Sequence, residues 1–375
     1  MSVRPEDSAT VDVAVRAGRI FCSSSGWDGP GVVCVRDDRI VSVQRDFQKS
    51  ANKEFDFPDG VLLPGLVDMH MHPALDGSVF GVDPDRWAHS RGVRTVLSQG
   101  DAGAANMGEY VERTILPCKT RIRMAINLSR IGESTNAGCF ERIEDADVNE
   151  CVAAVERYRE HVWGLAVNVS HRACGKSDPR EVLRRGLCVA SETGLPLLFG
   201  MRRPQDWPLA EQLALLRAGD TVTYCFRREP HCIVEAGRVM PAVQDARQRG
   251  VWFDVGHGMA SFAFEVAESA IADGFAPDTI STDLQQLHCG LEPTHDLPLV
   301  MSKLSAAGMS EQDVLTAVTR TPAAILGRED EIATLKPGTP AELVVLRRKD
   351  EPITLADCHG QHRPGRQWQT VFTLF

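Results

Sequence analysis

The chain has 375 residues, of which 43% are hydrophobic, 25% charged and 6% aromatic. These values predict a soluble globular protein with one large core and a smaller satellite, and they exclude a peptide module or a disordered, collagenous or coiled-coil chain. The 41 basic and 51 acidic side chains give a formal net charge of −10. This balance argues against nucleic acid and anionic membranes as partners.

Two further features indicate the compartment. The first residues carry charges of both signs without an apolar core of signal-peptide length, and no run of about 18 apolar residues occurs anywhere. The 11 cysteines are scattered from Cys22 to Cys358 without a CxxC pair, which favours reduced, buried thiols over a disulfide framework or a zinc knuckle. We therefore expect a cytoplasmic protein.

The pattern of elements changes along the chain. The first sixty residues alternate as short strands, and from Pro64 apolar runs alternate with amphipathic stretches. The candidate buried strands are GVLLPGLVDMH, GVRTVLSQG, RIRMAINLS, VWGLAVNVS, GLPLLFG, DTVTYCF, GVWFDVG and DTISTD. The candidate helices include DVNECVAAVERYREH, DPREVLRRGLCVASETG, WPLAEQLALLRAG and IVEAGRVMPAVQDARQRG.

Eight strand–helix units over about 260 residues predict an α/β fold, a (β/α)8 TIM barrel. Near the end of the chain, AELVVLRRK and HRPGRQWQTVFTLF again read as strands. We therefore expect the barrel to be inserted in a small β-sandwich domain formed by both chain ends. The predicted boundaries are 1–62 and 334–375 for the sandwich and 63–333 for the barrel.

The sharpest chemical signal is VDMHMHP at the end of the first barrel strand. His70 and His72 are two residues apart, so on a strand both imidazoles point to the same face and can reach one metal ion. An HxH pair alone is often incidental, but the carboxyl ends of barrel strands are where active sites of this fold lie.

Asp283, in ISTDL, ends the eighth apolar run. The eighth strand of a closed barrel neighbours the first, so Asp283 is expected to face His70 and His72. A carboxylate there can bind the metal and take a proton from the attacking water. The alternative is an aspartate that caps the following helix.

Together these residues resemble the amidohydrolase superfamily, over nearly the whole chain. The resemblance rests on the split sandwich, LLPGLVDMHMHP, Asp283 and the closing KPGTPAELVVL. Within the superfamily, GDAGA, INLSRIG, GLAVNVSH, VTYCF, DVGHGMASFAFEVAESAI and STDL resemble the dihydroorotase-like deacetylases. The resemblance implies a zinc-dependent barrel hydrolase acting on amide, ester or cyclic amide bonds of small molecules.

The chain departs from that subgroup at the second metal site. The family's bridging carboxylated lysine is replaced by Ala166, and its histidines on strands five and six are replaced by Gly200 and Tyr224. A binuclear centre cannot form from these side chains. The expectation is one divalent metal, zinc first and manganese or iron as alternatives, held by His70, His72 and Asp283.

Other polar residues could complete the site. His257, Tyr224, Cys225 and His171 are candidate replacement ligands. His257 and His171 match the subgroup's pattern and are better assigned to substrate or proton chemistry, with structural hydrogen bonding as the alternative. We assign catalysis to Asp283, assisted by His257 and Tyr224, and substrate binding to His171. Asp101, in GDAGA, could orient a metal-binding histidine.

Two arginine pairs stand beside the lost ligands. Arg202 and Arg203 follow Gly200, and Arg227 and Arg228 follow Tyr224. Arg202 and Arg227 could clamp a substrate carboxylate or phosphate, whereas Asp206 and Glu229 lie close enough in sequence to neutralise the pairs.

The sequence therefore predicts a hydrolase of a small-molecule amide, ester or cyclic amide bond, with a mononuclear metal site. Two alternatives stay open. One is a lyase, isomerase or decarboxylase on the same scaffold, and the other is a non-catalytic binding paralogue that has lost the binuclear centre. The substrate is expected to be small and could bear a carboxylate, and a homodimer is compatible with the fold.

Overall fold

The computed structural model of the protein describes residues 10–46, 50–203 and 205–375. The strands are β1 (Val11–Cys22), β2 (Trp27–Arg36), β3 (Arg39–Gln44), β4 (Ala51–Pro64), β5 (Leu66–Met71), β6 (Val93–Gln99), β7 (Arg121–Asn127), β8 (Val162–Asn168), β9 (Leu197–Gly200), β10 (Thr221–Thr223), β11 (Val234–Glu235), β12 (Arg238–Val239), β13 (Trp252–Phe253), β14 (Leu343–Arg348), β15 (Ile353–Ala356), β16 (His362–Gly365) and β17 (Trp368–Leu374).

The α-helices are α1 (Pro84–Trp87), α2 (Met107–Tyr110), α3 (Val148–Arg157), α4 (His171–Cys174), α5 (Pro179–Thr193), α6 (Leu209–Ala214), α7 (Pro241–Gln248), α8 (Phe264–Ala272), α9 (Leu297–Ala306), α10 (Glu311–Thr316) and α11 (Arg320–Ile325). Single turns of 3-10 or π-helix occur at His89–Arg91, Val111–Ile115, Ile143–Asp145 and Gln286–His288. Across the described ranges, none of these helices combines the length and apolar character that a membrane span requires.

Both chain ends build one six-stranded sheet in the order β17-β14-β4-β1-β2-β3. Its core is a separate cluster of buried apolar side chains that includes Val15, Ile20, Leu62, Leu343 and Val345. These residues come from the first and last parts of the sequence, so the small domain closes only when the two ends pair. The expected small β-domain at the chain ends is therefore confirmed.

The barrel is formed by parallel strands in the order β5-β6-β7-β8-β9-β10-β13. The segment 279–284 completes it without forming a regular strand: parallel bridges join Thr279 to Asp254 and Leu284 to Met71. The Asp283 amide also donates to the carbonyl of His70 at 2.7 Å. The predicted TIM barrel is confirmed, and this eighth segment brings the predicted carboxylate beside the first strand.

Two predicted elements are wrong in extent. The run GVLLPGLVDMH is divided, because its first residues belong to β4 and the barrel strand begins at Leu66. The helix predicted over 233–250 begins only at Pro241, after the short hairpin of β11 and β12. Ala236 and Gly237 turn that hairpin with φ of 50° and 76°, conformations that no α-helix contains.

A second hairpin, β15 with β16, packs on α9 of the barrel and buries Leu355 in the barrel's core. Its turn is anchored to the loop before α8. The Asp357 carboxylate accepts the Phe264 amide at 3.0 Å, and the Cys358 amide donates to the Phe262 carbonyl at 3.2 Å. The C-terminal part of the chain therefore reaches the carboxyl end of the barrel.

Candidate active site

Three of the predicted residues meet at the carboxyl end of the barrel. His70 Nε2 lies 3.4 Å and His72 Nε2 lies 3.2 Å from the same oxygen, Asp283 Oδ1. All three side chains are buried, and their ligand atoms lie within 4.8 Å of one another. Among the described residues, no donor forms a hydrogen bond of good geometry with the buried Asp283 Oδ1. We call these residues the HHD trio.

The far side of each imidazole is held by a hydrogen bond. His72 Nδ1 bonds Asp101 Oδ1 at 2.9 Å. His70 Nδ1 bonds Thr223 Oγ1 at 2.8 Å, and that hydroxyl donates to Asp254 Oδ2 at 2.9 Å. An Nδ1 proton used in this way leaves the Nε2 lone pair free and directed at Asp283, as in metal sites whose histidines are oriented by carboxylates.

The carboxylates around the HHD trio favour a positive charge between its side chains. Burial alone lowers the pKa of His72, but the facing carboxylates of Asp101 and Asp283 outweigh it and raise the pKa to about 10. Burial likewise favours a neutral Asp283, yet His70 and His72 hold its pKa below the usual range. With a pKa of about 10, His72 carries a proton when no metal is bound. A divalent ion in place of that proton would meet the Asp283 oxygen and the Nε2 lone pairs of both histidines, so the donor set fits a metal ion.

The backbone around the trio is tightly constrained. Asp283 and Tyr224 have φ of 48° and 67°, values that side chains other than glycine adopt at an energetic cost. Gly258 packs against the carboxylate: a Cβ at this position would lie 2.2 Å from Asp283 Oδ2. Such local strain, maintained by the surrounding fold, fixes the direction of the carboxylate.

Tyr224 takes the place of the missing strand-six histidine. Its hydroxyl lies 3.3 Å from His70 Nε2, and its ring is stacked under the Arg227 guanidinium, 4.0 Å from the centroid. Burial raises the pKa of Tyr224, so the phenol stays protonated. It can therefore donate a hydrogen bond where the side chains of the HHD trio converge.

The trio opens into a cavity of about 460 Å³. His72, Tyr224 and Asp283 lie in its wall, together with the apolar side chains of Phe80 and Leu287. This volume suits a small molecule rather than a polymer.

One side of the cavity is formed by residues 227–231, which include two arginines and Glu229. Arg227 and His231 are in its wall, and the buried His231 Nε2 has no hydrogen-bond partner. Burial, followed by the charges of Arg227 and His171, lowers the pKa of His231 to about 4. Arg227 is held by a 2.9 Å hydrogen bond from its Nε to Ser261 Oγ, which leaves the rest of its guanidinium for an anion.

The predicted partner Arg202 is placed differently. Its Nε donates to Asp206 Oδ2 at 3.0 Å, and His171 Nε2 lies 2.5 Å from the same oxygen. His171 lines the cavity, but Arg202 does not. The two-arginine clamp is therefore not assembled, because a local carboxylate neutralises one of its members.

His257 lies next to the site but is turned away from it. Its Nε2 is 2.9 Å from the Lys303 ammonium, its Nδ1 bonds the Gly258 carbonyl at 2.8 Å, and its ring is stacked on Phe262. Both ring nitrogens are occupied by these contacts, and His257 is not among the described residues that line the cavity; its part in catalysis stays a prediction. His257 supports the loop that carries Gly258.

Two of the three lost-ligand positions, Ala166 and Gly200, have no side-chain atom that could bind a metal; the third is Tyr224. Ala166 is buried on β8, and the space above Gly200 is filled by Asn168, whose Oδ1 would lie 2.8 Å from a Cβ there. Among the described residues, the HHD trio is the only group of three or more metal-binding side chains with ligand atoms close enough to hold an ion.

Sequence reasoning missed several cavity residues. Glu133 lines the cavity, and burial raises its pKa to about 7. His359, at the turn of the β15–β16 hairpin, also lines it, with a buried Nε2 that lacks a partner. Thr223 links His70 to Asp254. Glu133 stands in INLSRIGE, beside the resemblance motif, whereas His231 and His359 lie in loops without a sequence pattern.

No protein-family model matches the chain. Deacetylase Atu3266 of Agrobacterium fabrum is 32% identical over 328 residues, which cover 86% of this chain and 80% of that protein. A deacetylase of Brucella anthropi is 31% identical over 329 residues, covering 87% and 81%.

Solved structures agree with these relatives. An adenine deaminase superposes with a TM-score of 0.87 at 25% identity, covering 97% of this chain and 98% of that one. A dihydroorotase superposes with a TM-score of 0.85 at 28% identity, covering 97% and 96%. A zinc-bound N-acyl-D-glutamate deacylase of Bordetella bronchiseptica shares the fold alone, with a TM-score of 0.58 at 15% identity and coverage of 98% and 95%.

The barrel with its small β-domain and its buried histidine–aspartate trio is that of an amidohydrolase. The chain belongs to the amidohydrolase superfamily, in the group of deacetylases related to dihydroorotase. It is a hydrolase of the type that acts on amide or cyclic amide bonds.

Proposed function

We propose that this protein is a one-metal hydrolase that removes an acyl group from, or opens a cyclic amide in, a small molecule that carries a carboxylate. The observation that carries the proposal is the HHD trio, in which two oriented imidazole nitrogens and one orphaned carboxylate oxygen converge at the wall of the cavity. Zinc is the ion we assign, because two imidazoles and one carboxylate suit it and leave a position open for catalysis.

A divalent ion held there would supply electrophilic assistance and make water more acidic. Asp283 is the residue placed to take the proton of the attacking water, because Oδ1 faces the centre of the trio without a donor of its own. The same carboxyl can return that proton to the leaving nitrogen or oxygen. Tyr224 can donate its phenolic hydrogen bond to the carbonyl oxygen of the scissile bond as negative charge develops there.

Substrate orientation comes from the side of the cavity formed by residues 227–231. Arg227, His231 and His171 line the cavity. Among the described residues, the Arg227 guanidinium donates only to Ser261, and His231 Nε2 has no hydrogen-bond partner. A carboxylate bound there would extend the substrate away from the HHD trio, with the scissile bond at the other end. The turn of the β15–β16 hairpin also contributes His359 to the cavity wall.

The first test is metal content, measured by elemental analysis of protein purified without added metal or chelator. We expect about one zinc per chain, and its loss in His70→Ala. Two ions per chain would contradict the one-metal site, and no metal even after supplementation would refute the metal-dependent mechanism.

The second test is activity on a panel of N-acetylated amino acids, acetylated hydroxy acids and cyclic amides. Asp283→Asn should abolish turnover of any substrate found. Arg227→Ala should raise KM about tenfold or more for carboxylate substrates, since a charged hydrogen bond is worth roughly 1.5–3 kcal/mol, and should leave metal content unchanged. Equal KM values for the variant and the parent would refute carboxylate recognition by Arg227.

A further inference from the structure

A second cavity, of about 330 Å³, lies at the amino ends of the barrel strands, opposite the active site. Arg94 is near the start of β6, Arg121 and Arg123 are at the start of β7, and His161 directly precedes β8. Six of its eleven lining residues are basic, and none of these described lining residues is acidic. This composition is unusual in a chain whose acidic residues outnumber the basic ones, 51 to 41.

The positive charge in this cavity is only partly neutralised. Arg94 Nε and Arg121 both pair with the carboxylate of Glu342, at 3.0 and 2.6 Å, so two guanidinium groups share one acid. Arg328 pairs with Glu331 at 2.5 Å. His161 Nε2 lies 3.6 Å from Glu160, and Asp85 accepts the amides of Lys119 and Thr120. Of the described lining cations, Lys119 and Arg123 are outside these ion pairs.

Two lining cations have no carboxylate of their own. Arg123 donates to the backbone carbonyls of Glu160 and Val162, and its Nε is buried without a partner. Within the described ranges, the Lys119 ammonium makes no ion pair with an acid. Burial, followed by the charge of Arg328, lowers the pKa of Arg123, as expected where guanidinium groups are crowded together.

A structural role alone does not explain the cations that line this cavity. Neutral donors could serve the carbonyls of Glu160 and Val162 as well as Arg123 does. Packing at this end of the barrel also does not require Lys119 beside an arginine whose Nε has no partner. Crowded guanidinium groups and a lysine are instead the groups that bind tetrahedral oxyanions, through several charge-assisted hydrogen bonds at once.

We propose that this lower cavity is a binding site for a phosphate group, either as free phosphate or as part of a small phosphorylated molecule. Its volume is about ten times the roughly 30 Å³ that one water occupies. The cavity therefore accommodates a phosphate with a small organic substituent. The site lies at the opposite end of the barrel from the HHD trio and does not depend on the chemistry proposed there.

The test is calorimetric titration of the full-length protein with inorganic phosphate, pyrophosphate and a nucleoside monophosphate, at constant ionic strength set with sodium chloride. Lys119→Gln and Arg123→Gln remove the two unpaired cations. Lys53→Gln, an exposed lysine on β4, is the matched charge control. Because Lys119 is also exposed, its variant should fold even if Arg123→Gln does not.

We expect saturable binding of at least one of the three probes to the parent protein, weakened about tenfold or more in Lys119→Gln and Arg123→Gln, and unchanged in Lys53→Gln. Preference for free phosphate or for the nucleotide identifies the source of the phosphate group. No binding of any probe at 20 mM would overturn the proposal, as would a loss of binding in Arg227→Gln with Lys119→Gln unaffected.

Discussion

Asp101 is expected to control the affinity of the metal site without touching the ion. Its Oδ1 accepts His72 Nδ1 at 2.9 Å and Ser78 Oγ at 2.7 Å, and its Oδ2 accepts Ser98 Oγ at 2.6 Å. Asp101→Asn keeps the shape of the side chain but replaces one acceptor by an NH2 donor and removes the negative charge behind the imidazole. Loss of such a partner weakens metal binding by about 10–100-fold, which corresponds to roughly 1.4–2.7 kcal/mol.

The assay is competition for zinc between metal-free protein and a chromophoric chelator. Thermal unfolding of the metal-free variant checks the fold, since Ser78 and Ser98 can rotate their hydroxyls to meet an amide. Asp76→Asn is the matched control. Asp76 is 54% exposed and pairs with Arg113, so this substitution removes the same charge without changing a contact of the His72 ring. A zinc Kd for Asp101→Asn within about threefold of the parent would refute the reasoning that this carboxylate tunes His72.

Three other changes follow from the geometry. Gly258→Ala should lower kcat/KM by about 100-fold or more, because its Cβ would meet Asp283 Oδ2 at 2.2 Å; unchanged kinetics would show that the carboxylate can move freely. Lys303 is buried, and its pKa in the folded protein is about 8 against the usual 10.5. Between pH 8 and 10.5 the unfolded chain therefore binds more protons than the folded chain, so Lys303 makes the free energy of unfolding rise with pH over this range. The difference in the free energy of urea unfolding between the parent and Lys303→Met should rise with pH over this range. A difference that stays constant with pH would contradict the prediction. His359→Asn should raise KM while the exposed His362→Asn does not, which substrate titration of both variants decides.

The positions of His70, His72 and Asp283 could be predicted from the sequence because these residues lie at strand ends. An HxH pair at the end of one strand and an aspartate at the end of another must meet if the strands are neighbours in a closed parallel barrel. The structure confirms that barrel and places His70, His72 and Asp283 together. Metal binding by these side chains stays a prediction.

Loop residues could not be placed in the same way. His257 comes after β13, on the same side of the barrel as His70 and His72. Gly256 and Gly258 on either side of it adopt φ of 50° and 49°, and its ring contacts Lys303. Position after a strand end therefore indicated the neighbourhood and not the direction of the side chain.

The sequence by itself determined the fold class and the HHD trio. Apolar periodicity predicts the strands and helices, and residues at the carboxyl ends of neighbouring barrel strands must lie close together. Tertiary structure alone decided which cations face the substrate cavity. Asp206, four residues beyond Arg202, neutralises that arginine, whereas Arg227 is held by Ser261 and keeps donors free. It also brought His359 to the cavity from the far end of the chain. Long-range pairing of this kind depends on how separate elements pack, and no local pattern records it.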